Sequence, residues 1–299
     1  DCAADMMIDW GDGVKMTYKY DPNNGSYQNI EGVLKGTNLK IYAPEATDFG
    51  IANNSVTQLN VSNMPKLKHL SCSGNAITEL DVSKNTMLEQ FTCSNNPLTY
   101  INFGEAKSLK TLYCENTQVK DLDFSNCSTL ETLDLQKNRL QSINLKGCTN
   151  LKTLDATYND LTEVDLSAST ELTTFFADKN QLKSLDLSNN LQLENLSVGV
   201  NQLEKLDVSQ LKWLVYLYCN DNKLTELKPV SSSLKVLQTQ NNKIGSLDLS
   251  ECVSLVELAA NSNQLTSVDL SNCTLLQRLW LNDNKLSSIT VPEDGMPKL

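Results

Sequence analysis

The stretch LKTLDATYNDLTEVDLSASTE, residues 151–171, decides the fold. Its apolar residues stand at the first, fourth, eleventh, fourteenth and sixteenth places (Leu151, Leu154, Leu161, Val164, Leu166), and Asn159 holds the ninth. The same spacing recurs in both directions. Leu67, Leu88, Leu109, Leu130, Leu151, Leu172, Leu193 and Leu214 follow at steps of 21 residues; after one step of 20 come Leu234, Leu255 and Leu276. Counting back from Leu67 reaches Ala46, where Phe49, Ile51, Asn54, Val56, Leu59 and Val61 keep the pattern. Residues 46–299 therefore read as twelve repeats, starting near 46, 67, 88, 109, 130, 151, 172, 193, 214, 234, 255 and 276. A fixed period of this length marks a solenoid, in which each unit buries its apolar face against its neighbours.

The front half of the unit predicts a short strand around Leu154, with side chains pointing alternately in and out. Asn159 then turns the chain, and its counterparts are Asn54, Asn75, Asn96, Asn138, Asn180, Asn201, Asn222, Asn242, Asn263 and Asn284, with Thr117 the one departure. An amide carries both donor and acceptor, which suits it to backbone groups that a tight turn leaves unpaired. In the back half, VDLS (164–167) and its relatives LDVS (80–83, 206–209) and LDLS (185–188, 247–250) alternate with period two. Ten residues leave little room for a helix and two connections, so a second short strand or a 3₁₀ turn is expected on the outer side. The Asp of that phrase, at 81, 123, 165, 186, 207, 248 and 269, reads as turn chemistry. The expected architecture is a right-handed, gently curved solenoid with about twelve short parallel strands on its concave side.

Composition narrows the function. With 25 basic and 36 acidic residues the net charge is −11, dispersed along the chain, a poor match for nucleic acid. No apolar run reaches the ~18 residues of a membrane span, and no signal segment remains at the N-terminus. The one histidine, His69, argues against His-based hydrolases and zinc enzymes and reads as a solvated surface residue. No cofactor or metal is implied. Of nine cysteines, Cys72, Cys93 and Cys114 stack on successive strands facing the core, and Cys127, Cys148, Cys252 and Cys273 share a second inward column. Parallel Cβ vectors make disulfides awkward there, so small apolar filling is the expected role.

The units LKHLSCSGNAITELDVSKNTM (67–87) and LEQFTCSNNPLTYINFGEAKS (88–108) resemble bacterial leucine-rich repeat surface proteins of the internalin kind, in the 21-residue class with a cysteine ladder. The ladder place of that class matches Cys72, Cys93, Cys114 and Cys219, while Leu135, Ala156, Ala177, Val198, Thr239, Ala260 and Leu281 hold it elsewhere. The resemblance implies a leucine-rich-repeat solenoid, formally an α/β horseshoe. It also implies a secreted or surface-displayed bacterial binding protein, non-enzymatic, with its concave face on a partner.

Residues 1–45 do not fit the unit and read as an N-terminal cap, with MMIDW (6–10) and VKMTYKY (14–20) forming a hairpin around GDG and DPNNG (21–25) forming another turn. Asp9 and Asp12 fall short of the oxygens that calcium requires. LKIY (39–42) leads into the first repeat, Cys2 is a tail residue, and Met296-Pro297-Lys298-Leu299 repeats the entry motif Met64-Pro65-Lys66-Leu67. A bare edge there invites self-association, although a monomer is expected.

Function is sought on the concave face, where the fifth place of each unit points to solvent. Phe176, Tyr218 and Trp280 lie in that column, with Tyr216 beside them and Tyr113 a weaker member. Exposed aromatics of this kind anchor interfaces. Glu115, Asp134, Asp155 and Asp178 form an acidic strip edged by Lys137, Arg139 and Lys179. Asp134 and Asp155 have roughly the spacing of a glycosidase pair, but on an open face neither pKa is expected to be tuned, which argues against catalysis. Three uses stay open: a protein partner such as a host surface or matrix protein, a glycan stacked on the aromatics, or a spacer displaying another domain.

Overall fold

The computed structural model describes residues 5–19, 32, 33, 35, 38–296, 298 and 299, which leaves DPNNG, Cys2 and Pro297 outside the described residues. Two compact units are present, Asp1–Val119 and Lys120–Leu299. Repeat strands run through both, making a parallel β-solenoid of about twelve turns with no helix among the described residues.

The first unit opens with the expected hairpin. Met6–Asp9 pairs antiparallel with Lys15–Tyr18, and Lys40–Tyr42 adds a third strand on the other side of Met6–Asp9. Asp9 is consumed by the turn, its Oδ1 accepting the N–H groups of Gly11 and Gly13 at 2.9 Å each. Four repeat strands follow in parallel register: Asp48–Gly50, His69–Ser71, Gln90–Thr92 and Thr111–Tyr113. The middle residues Leu70, Phe91 and Leu112 are buried and Phe49 is half-buried, and Phe91 meets Phe103 edge to face at 6.3 Å between centroids.

The second unit carries eight such strands: Thr132–Asp134, Thr153–Asp155, Thr174–Phe176, Asn195–Ser197, Tyr216–Tyr218, Val236–Gln238, Glu257–Ala259 and Arg278–Trp280. Consecutive middle residues are Cα partners, from Leu133↔Leu154 through Leu154↔Phe175 to Leu258↔Leu279. The outer strands form only in pairs, as Asp121–Asp123 with Ser142–Asn144, Glu226–Leu227 with Ser246–Leu247, and Ser267–Asp269 with Ser288–Thr290. In the repeats starting at 151, 172 and 193 the outer phrase turns without pairing, and Val164 and Leu185 are left half-buried.

The asparagine ladder ties turn to turn. Asn159 Oδ1 accepts the Leu140 N–H at 3.0 Å, while its Nδ2 donates to Leu135 O at 2.9 Å in the preceding repeat and to Ala156 O at 3.0 Å in its own. Asn180, Asn201, Asn222, Asn242 and Asn263 repeat this bridge. At Thr117 the hydroxyl lies 3.8 Å from Cys114 Sγ. The outer aspartates behave as turn residues: each Oδ1 takes the N–H two places on, as Asp81 does from Ser83 at 2.8 Å and Asp186 from Ser188 at 2.9 Å. Those hydrogen bonds hold both carboxyls below the usual aspartate range.

The residue just before each ladder position adopts the left-handed region in every repeat. Gly74, Asn95, Asn116, Asp221, Asn241 and Asp283 fit it easily, whereas Lys137, Tyr158, Lys179 and Val200 sit there at φ of 53–59°. A β-branched residue is the worst fit of all. Val200 is 42% exposed, so its side chain contributes little packing. Val200→Asn is expected to stabilise the fold by about 1 kcal/mol, from relief of left-handed strain. An unchanged urea midpoint would show that no strain is held there.

The eight described cysteines are buried, and none of them is held in a disulfide. Burial pushes Cys72, Cys148, Cys219 and Cys252 up to about 12, so all four stay neutral thiols. The second column adds something to the apolar-filler reading. Cys148 Sγ points at Phe124 O at 3.6 Å and Cys273 Sγ at Cys252 O at 3.8 Å. In the same column Ser169 donates to Cys148 O at 3.1 Å and Asn190 to Leu166 O at 3.1 Å. These cysteines are weak donors to a neighbouring turn as well as small fillers.

Candidate functional site

Most repeat strands bury the middle residue and leave the two outer ones half-buried or exposed, so the fifth-place column is a row of side chains at strand spacing. Within the second unit the register runs Asp134↔Asp155, Asp155↔Phe176, Phe176↔Ser197 and Ser197↔Tyr218. Five candidate residues of the acidic and aromatic sets are thereby brought together: Asp134, Asp155, Phe176, Tyr218 and, two places beyond Phe176, Asp178. Tyr216 flanks Tyr218 on the same strand and is 37% exposed. Trp280 is not part of the group, because Gln238 and Ala259 separate it from Tyr218. Tyr113 and Glu115 belong to the first unit; Tyr113 is 43% exposed, and the Glu115 N–H donates to Ser94 Oγ at 3.1 Å.

Contrary to the expectation from an open face, two carboxylates of the strip are tuned. Burial raises both Asp155 and Asp178, and for Asp155 the neighbouring Asp134 and Asp178 add to it. Each is half-buried and bonded: Asp155 Oδ1 accepts the Thr157 N–H at 3.0 Å, and Asp178 Oδ1 the Gly199 N–H at 2.9 Å. Phe176 is the Cα partner of Asp155 on the next strand, a neighbour that repeat spacing does not announce. Of the flanking cations, Lys179 lies over the Tyr158 ring, 4.1 Å from its centroid. His69 also departs from expectation: it is not a lone solvated residue, since its Nδ1 is 2.5 Å from Asp48 Oδ1 on the preceding strand.

A raised carboxyl destabilises the fold when ionised. Its folded pKa exceeds the unfolded value of about 3.9, so the penalty is absent below that pH and complete above the folded pKa. Asp155→Asn keeps the acceptor for Thr157 and removes the charge. It is therefore expected to raise the melting temperature at about pH 7 and to match wild type at about pH 3. A variant less stable than wild type at neutral pH would overturn this assignment.

Solved structures place this geometry among known proteins. The functional domain of InlJ from Listeria monocytogenes, which includes a cysteine ladder, superposes with a TM-score of 0.62 at 26% identity over 83% of this chain and 66% of that one. This is a leucine-rich-repeat solenoid of the internalin-like kind. An internalin (InlF) from Listeria monocytogenes matches in fold at a TM-score of 0.68 and 22% identity, covering 84% of this chain and 89% of that one. YopM from Yersinia enterocolitica gives 0.70 at 26% identity, over 85% of this chain and 59% of that one. The present chain thus spans less than two thirds of the YopM structure and about two thirds of the InlJ domain. Neither the family models nor the curated proteins searched give a match. Internalin-like repeats form protein-interaction scaffolds, and the partial cysteine ladder at Cys72, Cys93, Cys114 and Cys219 is this solenoid's version of the InlJ feature. No helix of the described residues is long and apolar enough to cross a membrane.

Proposed function

We propose that the solenoid is a non-enzymatic binding protein, secreted or displayed on a bacterial surface, whose strand face around Asp155, Phe176, Asp178 and Tyr218 engages a protein partner. One observation carries the reading: two carboxylates are kept half-buried at a cost to the fold, directly beside aromatic side chains on the solvent side of a sheet. Charges that destabilise the free protein are relieved by a partner that brings basic groups, and the aromatics gain by being covered. Tyr113, Glu115 and Trp280 are further contact candidates outside this cluster. In keeping with the general use of the fold, a leucine-rich-repeat chain of 20% identity is found in the Toll–Spatzle complex of Drosophila.

The test is a pull-down from host surface and matrix proteins and from glycan panels, comparing wild type with the Phe176→Ala/Tyr218→Ala double variant. A protein partner lost on mutation, with the melting curve unchanged, supports the reading. A glycan ligand lost instead moves the site to the carbohydrate class. A partner held equally well by both forms removes the site from this face.

A further inference from the structure

In the second unit, the edge where each turn enters its strand changes character along the solenoid. At the last two places of the repeat, Thr149-Asn150 and Thr170-Glu171 are polar, and the Lys152–Glu131 ion pair at 2.8 Å shares a shallow pocket with them. Further on, the same places carry Leu191, Trp213, Val253 and Leu275, exposed at 44%, 59%, 46% and 38%. Stacked repeats set these side chains in one row, over four strand spacings or roughly 20 Å. Such a row is costly in water, and tryptophan is among the residues that most often anchor interfaces. The row is broken at one point. The repeat starting at 214 is one residue short and closes on Ser231–Ser233. The buried Ser231 hydroxyl reaches Lys212 O at 2.9 Å and Leu214 O at 2.7 Å, the carbonyls on either side of Trp213 in sequence. A projecting indole is therefore followed by a turn of small serines. Exposed charges of both signs rim the row: Glu194 and Lys212 on the Trp213 side of the serines, Lys235 and Glu251 on the other. None of the four forms an ion pair among the described residues.

We infer that this edge docks a second copy of the chain about a two-fold axis passing between Trp213 and the serine turn. A two-fold contact uses the same patch on both copies, so the patch must complement itself. This one does so in bulk and in charge. Reversing the row about that axis lays each Trp213 on the other copy's Ser231–Ser233 turn and Leu191 against Val253. It also brings Lys235 opposite Glu194, and Lys212 opposite Glu251, so that charges left unpaired in one copy meet their opposites in the other. The net charge of −11 opposes the approach of two copies, and the row is short, so the dimer is a weak one. This departs from the monomer expected from sequence. It is independent of the proposed partner face, which lies on the strands and not on this edge.

The experiment is sedimentation velocity of the full chain from about 1 µM to about 1 mM at physiological ionic strength. Wild type is expected to pass from monomer to dimer with a dissociation constant on the order of 10–100 µM. Trp213→Ala removes a side chain that is 59% exposed, so it should keep the wild-type melting curve while weakening the dimer at least about tenfold. Lys235→Glu and Glu194→Lys are each expected to weaken it about threefold or more, and the double reversal to restore it, because the two charges meet across the axis. A wild type that stays monomeric throughout overturns the inference, including where another protein is captured through Trp213. So does a dimer indifferent to Trp213→Ala, a double reversal no better than either single one, or a series of species growing past the dimer. The Phe176→Ala/Tyr218→Ala variant is expected to dimerise as wild type does, so the partner face and the dimer edge fail separately.

Discussion

Asn159→Ala is expected to lower the free energy of unfolding by about 1–3 kcal/mol, read from the urea midpoint, because the substitution strands a buried backbone N–H and takes one of two donors from each of two carbonyls. The Leu140 N–H loses its acceptor, while the carbonyls of Leu135 and Ala156 lose a shared donor but keep Asn138 Nδ2 and Asn180 Nδ2, each at 2.9 Å. Asn159 is 7% exposed, so water cannot take over without opening the turn. Asn159→Asp is a sharper test. The carboxylate can still accept from Leu140, but it turns a negative charge on two carbonyl oxygens where the amide had donated. Its folded pKa must then rise above the unfolded value of about 3.9, so the damage is greatest at neutral pH and is relieved as pH falls through that window. The outer aspartates, whose carboxyls are held low by their serine N–H groups, lose stability in the same acid range. The variant and wild-type curves should therefore converge on acidification. Parallel curves, or a loss well under 1 kcal/mol for Asn159→Ala, would remove the ladder from the account of stability.

That ladder shows why so much of the fold is legible in this sequence. A repeat places equivalent residues one above another, so a single reading of residues 151–171 fixes the role of Leu154, Asn159 and Leu161 and, by register, of their counterparts in every turn. What the period does not carry is whatever differs between neighbouring turns. Phe176 stands in register beside Asp155, a half-buried carboxylate that spacing alone leaves on an open face, and Asp178 accepts the Gly199 N–H of the following repeat. Pairing of the outer strands likewise depends on adjacent repeats and fails at 163–165, 184–186 and 205–207. The left-handed position before each asparagine had a partial signal in Gly74, Asn95, Asp221 and Asp283, obscured by Lys137, Tyr158 and Val200 in the same column. Fold resides in the shared columns and the candidate site in the departures from them.

Phe175→Ala is expected to be the most damaging single change in the second unit, at about 3–5 kcal/mol, while Phe176→Ala, one residue later, should cost under about 1 kcal/mol. Phe175 is fully buried, its Cα in register between Leu154 and Leu196. Truncation there removes a ring from a column whose members cannot collapse inward without breaking the strand hydrogen bonds on both sides. Phe176 has its ring on the solvent side of the same strand, in line with Asp155 and Ser197. Chemical unfolding of the two variants side by side measures the difference between the faces of one strand. A comparable loss for both would mean that Phe176 is part of the core, and its use as a binding probe would have to be abandoned. A large loss for Phe175→Ala alone makes Phe176 dispensable for folding, and the ring's place on the solvent face is then left to be explained by what it binds.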